Sequence, residues 1–144
     1  MDIPIKRFDK QFPLPEPTKG AACFDFICRE TVTIPAHQIK AIPQNVAVKI
    51  PAGYALLVFI RSSTPLRKGL MLANGVGVVD PFYCGEKDEN PAFFLNITDN
   101  PVTVEAGDKI VQGMVVKVEP VTWHEVDIMK DPGHGGYQYL NELK

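Results

Sequence analysis

The sequence predicts an all-β fold, a sandwich or barrel of jelly-roll type with one short helical turn. Three observations carry that expectation. Short apolar runs recur at close intervals, separated by turn-forming residues. No window holds a helical pattern of apolar residues ten residues long. The 13 prolines and 11 glycines are scattered along the chain, as many short strands and turns require.

Taken in order, Ile3 and Ile5 suit an edge strand. Pro13, Pro15 and Pro17 then prevent helix and forbid a central strand. Strands are expected at Cys23–Cys28, Thr31–Ile34, Val46–Ile50, Ala55–Ile60, Val76–Val79, Phe93–Ile97, Val102–Val104 and Ile110–Val118. The second residue of Asn45–Ile50 begins a clean alternation, the mark of a half-buried strand. Ala55–Ile60 is continuously apolar, too short for a helix and rich in strand formers, so it reads as an inner strand. Turns fall at Pro51-Ala52-Gly53, Asp99-Asn100-Pro101 and Glu105-Ala106-Gly107-Asp108. The one helical turn is expected with Ser63 or Thr64 as N-cap, Pro65 in its first turn and Gly69 as its stop. Trp123 is expected to pack. From Asp131 the chain turns glycine-rich and then polar, which predicts a mobile tail over 131–144.

Composition narrows the function. A chain of 144 residues reads as one domain, 1–144, and 45% hydrophobic with 22% charged residues is an ordinary globular balance. The net charge of -2 argues against a nucleic-acid partner, which wants a basic surface. No run approaches the roughly 18 apolar residues of a membrane span, so no membrane partner is expected, and the first ten residues lack a signal-peptide core. Cys23, Cys28 and Cys84 are odd in number and show no zinc spacing, which points to a reduced, cytoplasmic compartment.

The chemistry concentrates between Arg61 and Glu86. Arg61-Ser62-Ser63 follows an apolar strand and precedes the helical turn, an arrangement suited to an anion. Capping explains one serine but not the whole cluster. Asp80 stands just beyond Gly75–Val79, where a carboxylate can hold a water as a general base, although aspartate before proline is also a common turn starter. Tyr83 offers a ring for a sugar or base, or simply for packing. Gln112 is polar within an apolar strand and needs a partner, either a ligand or a neighbouring strand. His37, His124 and His134 have no metal-site spacing.

The order of these features resembles the trimeric dUTP pyrophosphatase (dUTPase) family, whose chains carry five short motifs. Ala22–Phe26 is similar to the first, Arg61–Leu70 to the second, Asn74–Glu86 to the third, Gly107–Gln112 to the fourth and Gly133–Tyr137 partly to the fifth. The resemblance implies a homotrimer of jelly-roll subunits whose active sites combine more than one chain. It implies that Asp80 activates a water for in-line attack on the α-phosphorus of dUTP, releasing dUMP and pyrophosphate. Mg²⁺ would bind the triphosphate, with Asp25 reaching it through a water. Arg61, Ser62, Ser63 and Gln112 would hold phosphates. Asn74 and the backbone of a Met71–Val79 hairpin, including Gly77, Val78 and Val79, would read uracil. Tyr83 would lie against the deoxyribose and Tyr137 over the base.

The sequence departs from the family pattern in places. Cys23 stands where the first motif has glycine, Phe82 where the third commonly has an acidic residue, and Pro132 where the fifth begins with arginine. Lys87–Asn90 is a charged insertion. Two alternatives follow: a dUTPase-like nucleotide-binding regulator with weak hydrolysis, and a dCTP deaminase, which shares the Arg-Ser-Ser cluster and the Asp80-Pro81 pair. Deamination needs a glutamate on the strand before Asn96, and Ala92–Leu95 is entirely apolar.

Overall fold

The computed structural model describes residues 1–130 and Gly133. The first six strands are β1 Ile5–Arg7, β2 Phe24–Asp25, β3 Val32–Ile34, β4 Ile39–Pro43, β5 Val46–Val48 and β6 Tyr54–Ile60. Helix α1 spans Ser63–Lys68. The remaining strands are β7 Leu70–Leu72, β8 Gly77–Val79, β9 Pro91–Asn96, β10 Val102–Val104 and β11 Val111–Lys117. The all-β expectation with one brief helix therefore holds.

The strands form a four-stranded sheet β2-β11-β6-β8, a three-stranded sheet β4-β9-β7 and the pairs β1-β5 and β10-β3. The pairings are antiparallel, and β6 with β11 makes the longest ladder, from Val111 opposite Ile60 to Lys117 opposite Tyr54. Every sheet contributes to one core: Val46 from β5, Ile34 and Val104 from β3 and β10, Leu56 and Val111 from the largest sheet, and Ile42, Leu70 and Phe94 from the three-stranded one. Side chains of this kind stabilise the fold by roughly 1.5–3 kcal/mol each when fully buried. Gly113 lets the layers close, because a Cβ there would sit 2.5 Å from the Phe26 ring.

Several local expectations need correction. The cap of α1 is Ser62, not Ser63 or Thr64, and its hydroxyl makes no capping bond. Gly69 ends the helix as expected, with a left-handed φ of 61° and its N–H donating to the Pro65 carbonyl. Leu70–Leu72 and Gly77–Val79 do not form a hairpin with each other. The first pairs with β9 and the second with β6, so the intervening turn passes between sheets. β4 escaped the sequence reading, and β7 entered it only as one arm of the supposed hairpin. Only Ile42 of β4 is fully buried, so its apolar pattern is too sparse to show, and pairing with β9 makes it a strand. Trp123 does not pack within the chain and is 91% exposed. Residues 118–130 form no helix or strand, and Val121, Ile128 and Met129 along them are also exposed. No helix among the described residues is long and apolar enough to cross a membrane.

Candidate active site

Two cavities flank the β6–β8 pair, and the site residues expected from the sequence divide between them. The first lies beyond the C-terminal end of β6. There the Arg61 N–H donates to the Ile110 carbonyl at 3.1 Å, and Arg61 Nη1 donates to the Lys109 carbonyl at 3.0 Å. Arg61 Nε lies 3.2 Å from Asp25 Oδ1. Asp25 is the register partner of Gln112 across β2 and β11, so three adjacent strands bring Asp25, Arg61 and Gln112 to one place. Gln112 Nε2 makes a long 3.4 Å bond to the Ile60 carbonyl. Thr64, buried under α1, donates its hydroxyl to the Ile110 carbonyl at 3.0 Å and pins the turn. With the helix held from below and Ser62 free of capping duty, a cleft of about 470 Å³ opens, lined by Arg61, Ser62, Ser63, Arg67, Lys68 and Lys109 among others. Four cations there make it suited to an anion.

The second cavity, about 280 Å³, is bounded by Val58, Asn74, Gly77, Val78, Val79, Tyr83, Pro91 and Phe93. Its floor follows from register: Gly77 lies opposite Val58, and a Cβ at Gly77 would approach the Val58 Cβ at 3.2 Å. β8 is an edge strand with Val78 66% exposed, so one row of its backbone groups has no strand partner and faces outward. An apolar slot beside unpaired backbone N–H and C=O groups suits a flat heterocycle read along its edge.

Tyr83 is held by its hydroxyl, which donates to the Glu89 carbonyl at 3.1 Å. Burial, followed by the charges of Asp88 and Glu89, pushes the phenol above its ordinary range, so it stays a neutral donor. The charged insertion is tied down as well. Glu89 accepts two bonds from Arg29 Nε and one from Arg29 Nη2, and it also accepts the Asn45 N–H at 2.7 Å.

Asp80 follows β8 directly and is exposed. Its Oδ1 accepts the Phe82 N–H at 2.8 Å, and its carbonyl accepts the Tyr83 N–H at 3.3 Å. The turn-starter reading of Asp80 therefore holds: the turn orients one carboxylate oxygen and leaves the other without a hydrogen bond among the described residues.

The two cavities share no lining residue. Val79 lies opposite Leu56, five residues before Arg61 along β6. At ~3.3 Å per residue that is roughly 16 Å of backbone, and Asp80 lies beyond it in the opposite direction. In one chain, Asp80 and the Arg61 cluster do not converge. Tyr137 lies outside the described residues. Sequence reading missed Val58, Pro91 and Phe93, which carry no polar signal, and the cations Arg67, Lys68 and Lys109, although all three stand within the second and fourth motif segments. Among the described residues no group of three or more His, Cys, Asp or Glu side chains is placed to hold a metal ion.

The model of the dUTPase family matches residues 10–137. The chain belongs to the dUTPase family. A deoxyuridine 5'-triphosphate nucleotidohydrolase from Lactococcus lactis subsp. lactis is 38% identical over 100 residues, covering 67% of each chain. Among solved structures, the dUTPase from Streptococcus mutans is 31% identical with a TM-score of 0.75, covering 83% of this chain and 98% of that one. A mutant dUTPase from phage phi11 of S. aureus, whose structure reveals the coordination of a structural Mg(II) ion, is 20% identical with a TM-score of 0.78. It covers 91% of this chain and 100% of its own length and shows the fold alone.

Proposed function

We propose that the chain is a dUTP nucleotidohydrolase that cleaves dUTP to dUMP and pyrophosphate. The observation that carries this reading is Asp80, oriented by its own turn at the end of the strand that walls an apolar, backbone-edged slot. Uracil fits that slot, with Asn74 and the backbone of Gly77–Val79 along its pairing edge and Tyr83 beside the deoxyribose. Asp80 takes a proton from a water whose oxygen bonds to the α-phosphorus. The bond from the α-phosphorus to the bridging oxygen breaks, and pyrophosphate leaves with that bond's electron pair. Arg61, Ser62, Ser63 and Gln112 hold the phosphates and spread the developing charge.

The donor set suits Mg²⁺ carried in on the nucleotide, since that ion is usually held by one or two carboxylates plus phosphates and waters. Asp25 stands beside the phosphate cluster facing Arg61, and Asp108 lines the cleft itself. When bound, Mg²⁺ would clamp the triphosphate geometry and neutralise part of its charge.

A homotrimer is part of the same reading, with Asp80 of one copy serving the Arg61 cluster of another. The separation of the two clusters along β6 supports it. So does the outer face of the β4-β9-β7 sheet, where Ile39, Met71, Phe93 and Ile97 are exposed side by side, Phe93 also lining the base slot. Exposed Trp123 and its apolar neighbours suit packing against another copy too. A cytoplasmic location accords with three free cysteines.

The test is pyrophosphate release with Mg²⁺ from dUTP, dCTP, dTTP and UTP, together with the mass of the particle by light scattering. Release from dUTP alone, lost in Asp80→Asn, supports the reading. Silence on all four nucleotides with dUTP still bound would replace it with a regulatory protein, and a monomeric active enzyme would remove the shared site.

A further inference from the structure

The loop from β8 to β9 carries Asp80 and Tyr83, and it contains no strand or helix of its own. Such a segment yields easily unless something outside it holds it. Here the hold passes through Glu89. Its backbone carbonyl accepts the Tyr83 hydroxyl at 3.1 Å. Its carboxylate sits in the fork of Arg29, with Nε 2.9 and 3.1 Å from the two oxygens and Nη2 2.9 Å from Oε2. A third donor, the Asn45 N–H at 2.7 Å, comes from a buried residue held at a left-handed φ of 66°. Asn90, next along, is buried too. Its N–H donates to the Val46 carbonyl at 2.8 Å, and its carbonyl accepts the Gln44 N–H at 3.1 Å.

Arg29 lines neither cavity and stands on the connection from β2 to β3, where its N–H donates to the Pro43 carbonyl at 3.0 Å. The Arg29 and Glu89 side chains are only 30% and 13% exposed, so this is a shielded, forked pair rather than a solvated surface contact. The contacts thus run from the strand framework, through Arg29 and Glu89, to the outer end of the Tyr83 ring that bounds the slot. A wall that can yield is poor at refusing a nucleotide for one additional hydroxyl, because a loose ring moves aside at little cost. A ring fastened at its hydroxyl to an anchored backbone cannot. Resting on the proposed reading of Tyr83 as the wall beside the sugar, we propose that Arg29 is a positioning residue that fixes the Tyr83 ring through Glu89 and sets the preference for a deoxyribose over a ribose nucleotide.

The experiment measures kcat and KM of the full chain for dUTP and for UTP, by pyrophosphate release with Mg²⁺. It compares the wild type with Arg29→Gln, Arg29→Lys, Tyr83→Phe and the double variant Arg29→Gln/Tyr83→Phe, with a melting temperature for each. Arg29→Gln lowers the ratio of kcat/KM for dUTP to that for UTP by about tenfold. Arg29→Lys keeps the charge without the fork and recovers part of that loss. Tyr83→Phe, which cuts the tie to the Glu89 carbonyl, lowers the ratio by a similar factor. In that background Arg29→Gln lowers it by less than about a further twofold, since both changes break one chain of contacts. A merely structural role would lower the melting temperature and leave the ratio where it was, which overturns the proposal. Full additivity of the two changes overturns it as well, because Arg29 would then act by another route. Should Arg29→Gln fail to fold, the same cycle run with Arg29→Lys decides by the same criteria. A wild type that releases no pyrophosphate from dUTP overturns the reading of the slot itself, and the proposal with it.

Discussion

The cavities near the two ends of β6 are built from different chemistry. At its C-terminal end the cleft is built from side chains whose charges are answered by Asp25 and Asp108, and its geometry depends on long, solvated groups. Along β8, which pairs with the other end, the slot is built from backbone, a glycine and apolar side chains, with a tyrosine fixed by one hydrogen bond. The first is suited to charge, which is long-ranged and screened by salt. The second is suited to shape, which is short-ranged and unaffected by salt. On the proposed reading a nucleotide demands both, and β6 contributes to the two places through separate ladders with β8 and β11.

The largest expected effect comes from Asp80→Asn. It keeps the turn, because the amide oxygen still accepts the Phe82 N–H, and removes the base. Pyrophosphate release falls by about 10²–10⁴-fold while nucleotide affinity changes little. If affinity fell as much as rate, Asp80 would belong to binding and the division between the two ends would blur.

Arg61→Gln comes next and acts on the other end. It removes the guanidinium and leaves Asp25 unpaired facing the phosphates. KM for dUTP rises by roughly 10–100-fold, the equivalent of about 1.5–3 kcal/mol for a hydrogen bond to a charged group. The wild-type KM is expected to rise with salt, and in this variant that dependence flattens. A KM that stayed salt-dependent would place the charge recognition elsewhere.

Glu89→Gln sharpens the comparison from the slot side. It weakens the ties to Arg29 and the Asn45 N–H and costs about 1–2 kcal/mol of stability in denaturant unfolding. The loop carrying Tyr83 loosens, so discrimination between dUTP and UTP falls while salt dependence is retained.

The smallest effect lies beneath both ends. Burial pushes the Cys28 thiol up to about 12 from its ordinary 9.0. The unfolded chain releases that proton first as pH rises, so the native state binds more protons between about 9 and 12 and stability falls across that window. Urea unfolding from pH 8 to 11 reads this directly, and Cys28→Ala removes most of the slope. A thiol reagent applied to the native protein labels Cys23 and Cys84, both half-buried, well before Cys28, which is fully buried.

Much of the fold was legible beforehand because strand signals are local. Ala55–Ile60 and Ile110–Val118 announce themselves by composition, and the pair became the central ladder. Pro65 and Gly69 framed the helix correctly, but the cap fell one residue early, since a serine's backbone angle cannot be read from its identity. β4 was invisible because a strand with one buried side chain carries almost no pattern. The supposed hairpin failed for a related reason: two short strands and a glycine turn look alike whether they pair with each other or with separate sheets. Among the site residues, Asp25 and Gln112 were nominated from segments 87 positions apart, and the structure sets them directly opposite each other.

By itself the sequence determined the class of fold, the short helix, the polar residues able to do chemistry and the motif order that marks the family. Those follow from side-chain size, periodicity and turn preference, which act over a few neighbours. Tertiary structure alone decided which of those residues meet. It placed Arg61 against Asp25, set Asp80 well away from that pair, left Arg67 and Lys109 without side-chain partners among the described residues, and turned Trp123 outward. Strand register decides such meetings, and register is chosen by the packing of the whole core, so no local stretch of sequence records it.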